Sequence, residues 1–180
     1  MKDLKIRTRK YKRKERFMNK FKTFLLLLIS FVLQTSIFSK IDIFGANINI
    51  IIPAIIALSQ ILPGKTASYG ALLVGLVEDF LLTSLVGVRA LSYFLISYVA
   101  SGNVAKLSKD KMTGCISTFI SSIFNFVLVN VIYYIFGKSL ISISSYLPMA
   151  LLIESLLNAM IYFIYYMLIK KIMYIPTYRI

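Results

Sequence analysis

The sequence predicts an all-α integral membrane protein of six transmembrane helices, and three observations predict it. The composition is 58% apolar with a mean hydropathy of +0.79, whereas soluble domains lie at about 45–50% apolar. Six separate apolar runs approach the roughly 20 residues that a helix needs to cross a hydrocarbon core about 30 Å thick. The formal charge of +14 is concentrated rather than spread: 11 of the 21 Lys and Arg lie in residues 1–22, with only Asp3 and Glu15 against them.

The runs are taken in order. The first is Thr23–Ser39, with Leu25–Ile29 and Phe31–Leu33 inside it, and the second is Gly45–Leu62. The third is Thr66–Val86 and the fourth Arg89–Ala105, with only Gly87 and Val88 between them. That short gap leaves open a long helix followed by a re-entrant turn. The fifth is Thr113–Phe136 and the sixth Leu147–Ile169. A 22-residue basic preamble precedes the first run, and Thr35–Ser39 offers no small-x-small cleavage site. The first run therefore reads as an uncleaved anchor rather than a signal peptide.

Loop charge sets the expected topology. With a cytoplasmic N-terminus, the inner segments are residues 1–22, Pro63–Lys65, Lys106–Lys111 and Lys170–Ile180, which hold 18 basic residues. The outer connections hold three, Lys40, Arg89 and Lys138. Leaving out the N-terminal segment, the split is still 7 to 3. This matches the positive-inside rule. The expectation is a multi-pass membrane protein, both termini cytoplasmic, with a basic tail over 1–22 and a six-helix domain over 23–180.

The tail is densest at Lys5, Arg7, Arg9, Lys10, Lys12, Arg13, Lys14 and Arg16. Basic residues beside an anionic leaflet contribute about 1 kcal/mol each, so anionic lipid is the expected partner, ahead of an acidic protein. Nucleic acid is set aside. From Lys5 to Phe17 the aromatics are Tyr11 and Phe17 alone, and no recognisable binding module accompanies them. With little apolar surface to bury, the tail is expected to be disordered in water.

Absences narrow the chemistry. The chain has no His, so the commonest transition-metal ligand and the usual base near neutral pH are both missing. Cys115 is the single cysteine, which leaves no intrachain disulfide and no cysteine metal cluster. No nucleophile–base pair and no phosphate-cradling glycine loop is recognisable. The expectation is a protein that is not an enzyme, with no catalytic residue, cofactor or metal.

Within the apolar body the acids are Glu78, Asp79 and Glu154. Such groups are costly in lipid and usually face the bundle interior. Ala67, Ala71, Gly75, Asp79 and Thr83 recur every four residues, a stripe of small side chains interrupted by one acid. Such stripes let helix backbones approach closely. Adjacent helical residues point about 100° apart, so Glu78 and Asp79 are expected to address different neighbours. Asp79 has two readings: a hydrogen bond across the seam, or a directly functional contact. On the fifth run Ser117, Ser121 and Asn125 share a face, as do Glu154, Asn158 and Tyr162 on the sixth. Inferred depth pairs Arg89 with Glu154 or with Asp79.

The string from Gly75 to Leu91 resembles the signature of the rod-shape-determining membrane protein family MreD. Gly75, Asp79, Gly87, Arg89 and Leu91 match it, and Tyr98 falls where the family often has an aromatic. Asn158 ahead of Lys170 and Lys171 is similar to the family's last span. Thr83 and Ala71 stand where the family often has glycine, and both are small. The resemblance implies a non-enzymatic scaffold of the cell-elongation machinery. Such proteins bind MreC and help couple MreB filaments to the peptidoglycan synthases RodA and a class B penicillin-binding protein. It also implies a fold like the substrate-binding subunits of energy-coupling-factor transporters, and hence an alternative, a vitamin-binding transport subunit. The first run is Leu-, Ile- and Phe-rich, unlike the Ala-rich docking motif of those subunits. A lipid-exposed groove is expected to accept a partner's single helix. The expected packing or partner-binding residues are Ala71, Gly75, Asp79, Thr83, Gly87, Arg89, Glu154 and Asn158.

Overall fold

The computed structural model describes residues 2–43, 46–62, 64–104, 110–137 and 147–173. Among them are six helices: α1 Lys2–Ser36, α2 Ile51–Ile61, α3 Gly64–Leu82, α4 Val88–Val99, α5 Lys111–Ile135 and α6 Leu147–Ile172. A π-helical turn, Ala100–Val104, continues α4. After α1 come a 3-10 turn at Phe38–Lys40 and a minimal antiparallel pairing of Asp42–Ile43 with Ala46–Asn47. By length and composition three segments can cross a membrane: Phe17–Lys40, Lys111–Ile135 and Pro148–Ile172.

Helix α1 corrects one expectation. The basic segment is not a disordered tail; its backbone is helical from Lys2 without a break into the apolar run. No Gly or Pro occurs between Lys2 and Ser36, and Lys, Arg and Leu all favour helix. The apolar half also spares the basic half the cost of nucleation. The eight basic side chains expected to meet lipid are outside what is described, as are residues 105–109, 138–146 and 174–180.

The second run departs furthest from its expected span. Only Ile51–Ile61 is helical, about 16 Å at 1.5 Å per residue, too short to cross a bilayer. Apolar helices of this length are more often core helices than spans. Here ten of the eleven residues are buried, because α1, α3, α4, α5 and α6 all pack around it. The preceding segment stays irregular, and side chains satisfy its backbone. Gln34 donates from Nε2 to the Ile48 carbonyl (2.8 Å) and accepts from the Ile50 N–H (2.8 Å). Asn49 Oδ1 accepts from the Ile51 N–H (3.1 Å) at the start of α2. An inward-facing amide thus does the work of a strand neighbour, since buried backbone groups must be paired.

Around α2 the outer helices turn apolar faces outward. Ile116, Ile120, Phe124, Val127 and Val131 of α5 are exposed, whereas Gly114, Thr118 and Ser122 face inward. The face shared by Ser117, Ser121 and Asn125 is half-buried. A small polar interior with a greasy exterior suits a helix bundle in lipid.

Candidate functional site: the α3–α4 junction

The third and fourth runs form two helices joined by a tight turn over residues 83–87. The stripe lies on their seam. Ala67, Ala71 and Asp79 are fully or almost fully buried, and Gly75 is buried with them. A Cβ on Gly75 would stand 2.5 Å from Ala90 Cα and 2.8 Å from Ala90 N. Only a glycine permits that approach.

Asp79 caps the following helix. The N-cap position of α4 is Gly87, whose φ of +102° suits glycine and which has no side chain to cap with. Asp79 Oδ2 substitutes, accepting from the N–H groups of Gly87 (2.9 Å), Arg89 (2.9 Å) and Ala90 (3.1 Å). These include two donors that an N-cap side chain ordinarily serves. The carboxylate also meets the positive end of the helix dipole. Thr83, one turn on, donates from Oγ1 to the Asp79 carbonyl (2.9 Å) and closes the end of α3. Of the two readings of Asp79, the hydrogen bond across the seam is the one the geometry contains.

Two expectations about charge are corrected. Arg89 pairs with Glu78, not with Glu154 or Asp79. Glu78 and Asp79 address the same neighbour, although they point about 100° apart. Asp79 meets the tip of α4 from the seam, while the longer Glu78 side chain reaches Arg89 and Tyr93 on α4's flank. The helices are so close that both directions find the same partner.

From Glu78 a chain of buried polar contacts crosses the bundle. Tyr93 Oη donates to Glu78 Oε2 (2.9 Å) and accepts from Asn49 Nδ2 (3.1 Å). The Asn49 N–H donates to Asn158 Oδ1 (3.0 Å), and Asn158 Nδ2 donates to Ser122 Oγ (3.0 Å). Ser122 in turn donates to the Thr118 carbonyl (3.0 Å). Thus α3, α4, the entry to α2, α5 and α6 are tied at one depth. Ser92 donates to Asn125 Oδ1 (2.7 Å), a second α4–α5 tie. At the other end of α2, Tyr162 donates to Gln60, and Ser59 bonds Ser97 (2.8 Å).

The structure thus gathers Ala71, Gly75, Asp79, Thr83, Gly87 and Arg89 at one junction and links Asn158 to it through Asn49. Glu154, half-buried one turn before Asn158, bonds the Asn158 side chain and does not reach the α3–α4 turn. Tyr98 is 66% exposed and takes no part. Sequence reasoning missed Tyr93, Asn49, Gln34 and Gln60. Tyr93 lies four residues after Arg89, a same-face spacing that could have flagged it; the amides carry no such local signal.

Replacing Glu78 with alanine would leave the Arg89 guanidinium and the Tyr93 hydroxyl without their acceptor. The expected loss is about 1–3 kcal/mol, moderated because Arg89 is one-third exposed. Glu78→Ala with Arg89→Leu should recover part of it. A double-mutant cycle on the unfolding midpoint in detergent checks this, and independent, additive losses would refute the pair.

Three of the four carboxylate oxygens at the junction hold α4 against α3, and the fourth, Asp79 Oδ1, meets Thr83 Oγ1 (3.4 Å) in the turn, which makes the site a clamp between helices. Searches of curated proteins and of solved structures return no match, so the likeness to the vitamin-transporter subunit fold finds no support there. The family described as rod shape-determining protein MreD matches residues 14–172. That span takes in the clamp, the polar chain and all three segments long and apolar enough to cross a membrane, and the chain belongs to the MreD family, membrane proteins of rod-shape determination.

Proposed function

We propose that this protein is a non-enzymatic scaffold of the bacterial cell-elongation machinery. It binds MreC and helps couple MreB filaments to peptidoglycan synthesis by RodA and a class B penicillin-binding protein. The observation that carries this reading is the use of Glu78 and Asp79. A proton relay or an acid–base site needs a carboxylate available to its substrate, whereas both of these are committed to α4. A bundle whose interior is pinned at one depth offers a constant outer shape, which is what capture of a partner helix by packing requires. In this reading the protein lies in the inner membrane with both termini cytoplasmic. Lys22 Nζ donates to the Ile172 carbonyl (2.8 Å), so the basic start of α1 and the basic end of α6 adjoin, which supports termini on one side.

Mass spectrometry of the complex purified from native membranes tests the proposal. MreC should co-purify with the wild-type chain, and depletion should turn rods into rounded cells. Asp79→Leu should lower MreC recovery at least in proportion to any loss of the protein itself. Unchanged rod shape on depletion, or a tightly bound vitamin together with an ATPase module, would overturn it.

A further inference from the structure

Polar contacts join helices α1 and α6, among them Lys22 with the Ile172 carbonyl and Ser30 Oγ with Tyr165 Oη (2.7 Å). Between them lies an apolar groove of about 420 Å³. Its walls are Leu25, Ile29 and Leu33 on α1 and Ile161, Ile164 and Leu168 on α6. Five of these six are exposed, so the groove opens outward. From Lys22 to Leu33 it runs about 16 Å along the helix axis, close to half the hydrocarbon thickness of about 30 Å, the depth of one leaflet.

We propose that this groove binds one anionic phospholipid of the surrounding membrane, with an acyl chain along the α1–α6 walls and the headgroup phosphate at the Lys22 end. Charge selects the headgroup and its end. Lys22 lines the groove, Lys20 precedes it, and Lys170 and Lys171 close α6 on the same side, against Lys40 near the Phe38 end. The walls select the tail. Helix–helix contacts in lipid rely on Gly, Ala, Ser and Thr, or on polar groups with bonds to offer. Here the walls are Leu and Ile, and Ser30 is committed to Tyr165 and to the Leu26 carbonyl. Branched walls whose small residue, Ser30, is already bonded suit a flexible methylene chain better than a second helix backbone.

The chain contains no Trp, so an introduced one is a clean reporter. Ile164→Trp places it in the groove, and Ile120→Trp on the exposed face of α5 is the control. The full chain is reconstituted in zwitterionic vesicles doped with brominated phosphatidylglycerol or brominated phosphatidylcholine. At position 164 the anionic lipid should quench at about fivefold lower mole fraction than the zwitterionic one, the factor that one basic side chain at an anionic surface supplies. Lys22→Glu should abolish that preference. At position 120 the two lipids should quench alike. Leu168→Trp replaces Ile164→Trp if the latter does not fold by circular dichroism. Equal quenching at 164, the same preference at 120, or a preference that survives Lys22→Glu would overturn the proposal. So would loss of lipid quenching at 164 on adding a single-helix membrane protein, which would make the groove a helix site.

Discussion

Asp79→Leu is expected to destabilise the protein by about 3 kcal/mol or more, since each buried donor left unsatisfied costs about 1–3 kcal/mol. The variant leaves the N–H groups of Gly87, Arg89 and Ala90 without their acceptor. Gly87 cannot replace it, because it has no side chain and its positive φ is part of the turn. Water is a poor substitute, since the carboxylate site is fully buried. Against total stabilities of about 5–15 kcal/mol this is a large share, and the amount that accumulates should fall. The unfolding midpoint in detergent and the amount in the membrane check this together. Asp79→Asn keeps one acceptor oxygen and should lose less. A leucine variant as stable as wild type, or an asparagine variant worse than leucine, would contradict the capping role.

The second large effect belongs to Gly75. A valine there brings Cβ to 2.5 Å from Ala90 Cα, which no rotamer relieves, so α3 and α4 must separate. Overpacking of side chains costs about 1–3 kcal/mol, occasionally more; a clash with backbone belongs at the upper end. Separation also lengthens the Asp79 bonds to the α4 tip, so the two losses are coupled. Ala90→Gly in the Gly75→Val background should give no rescue, because the obstructing atoms are Cα and N rather than Cβ. Rescue by Ala90→Gly would place the clash elsewhere. Combining Gly75→Val with Asp79→Leu should cost less than the sum, as neighbours sharing a backbone shift do.

Gly114 is crowded at the other end of α2. A Cβ there meets the Tyr162 hydroxyl and ring and the Gln60 amide oxygen, and Tyr162 is fully buried. One glycine thus faces a helix backbone and the other a packed aromatic side chain.

Much of the framework was legible in the chain. The expected fifth and sixth spans differ from α5 and α6 by three residues or fewer at each end, because long apolar runs in lipid leave helix as the main choice. The four-residue stripe from Ala67 to Thr83 named the seam. Gly75, Asp79, Gly87 and Arg89 named the junction. The second run was misread because hydropathy reports how apolar a segment is, not what covers it; α2 is screened from lipid by five helices. The basic segment was misread because charge argues against a hydrophobic core but not against a helix continued from its neighbour.

What the sequence determined by itself is a greasy helical chain with an acid, two glycines and an arginine at one junction, and a strongly basic end. Only the tertiary structure decided that α2 is the axis, that Arg89 belongs to Glu78, and that Asp79 caps α4. The reason is range. Periodicity and charge are properties of neighbouring residues, whereas Asn49 and Asn158 are 109 positions apart and meet only when packing brings their backbones together.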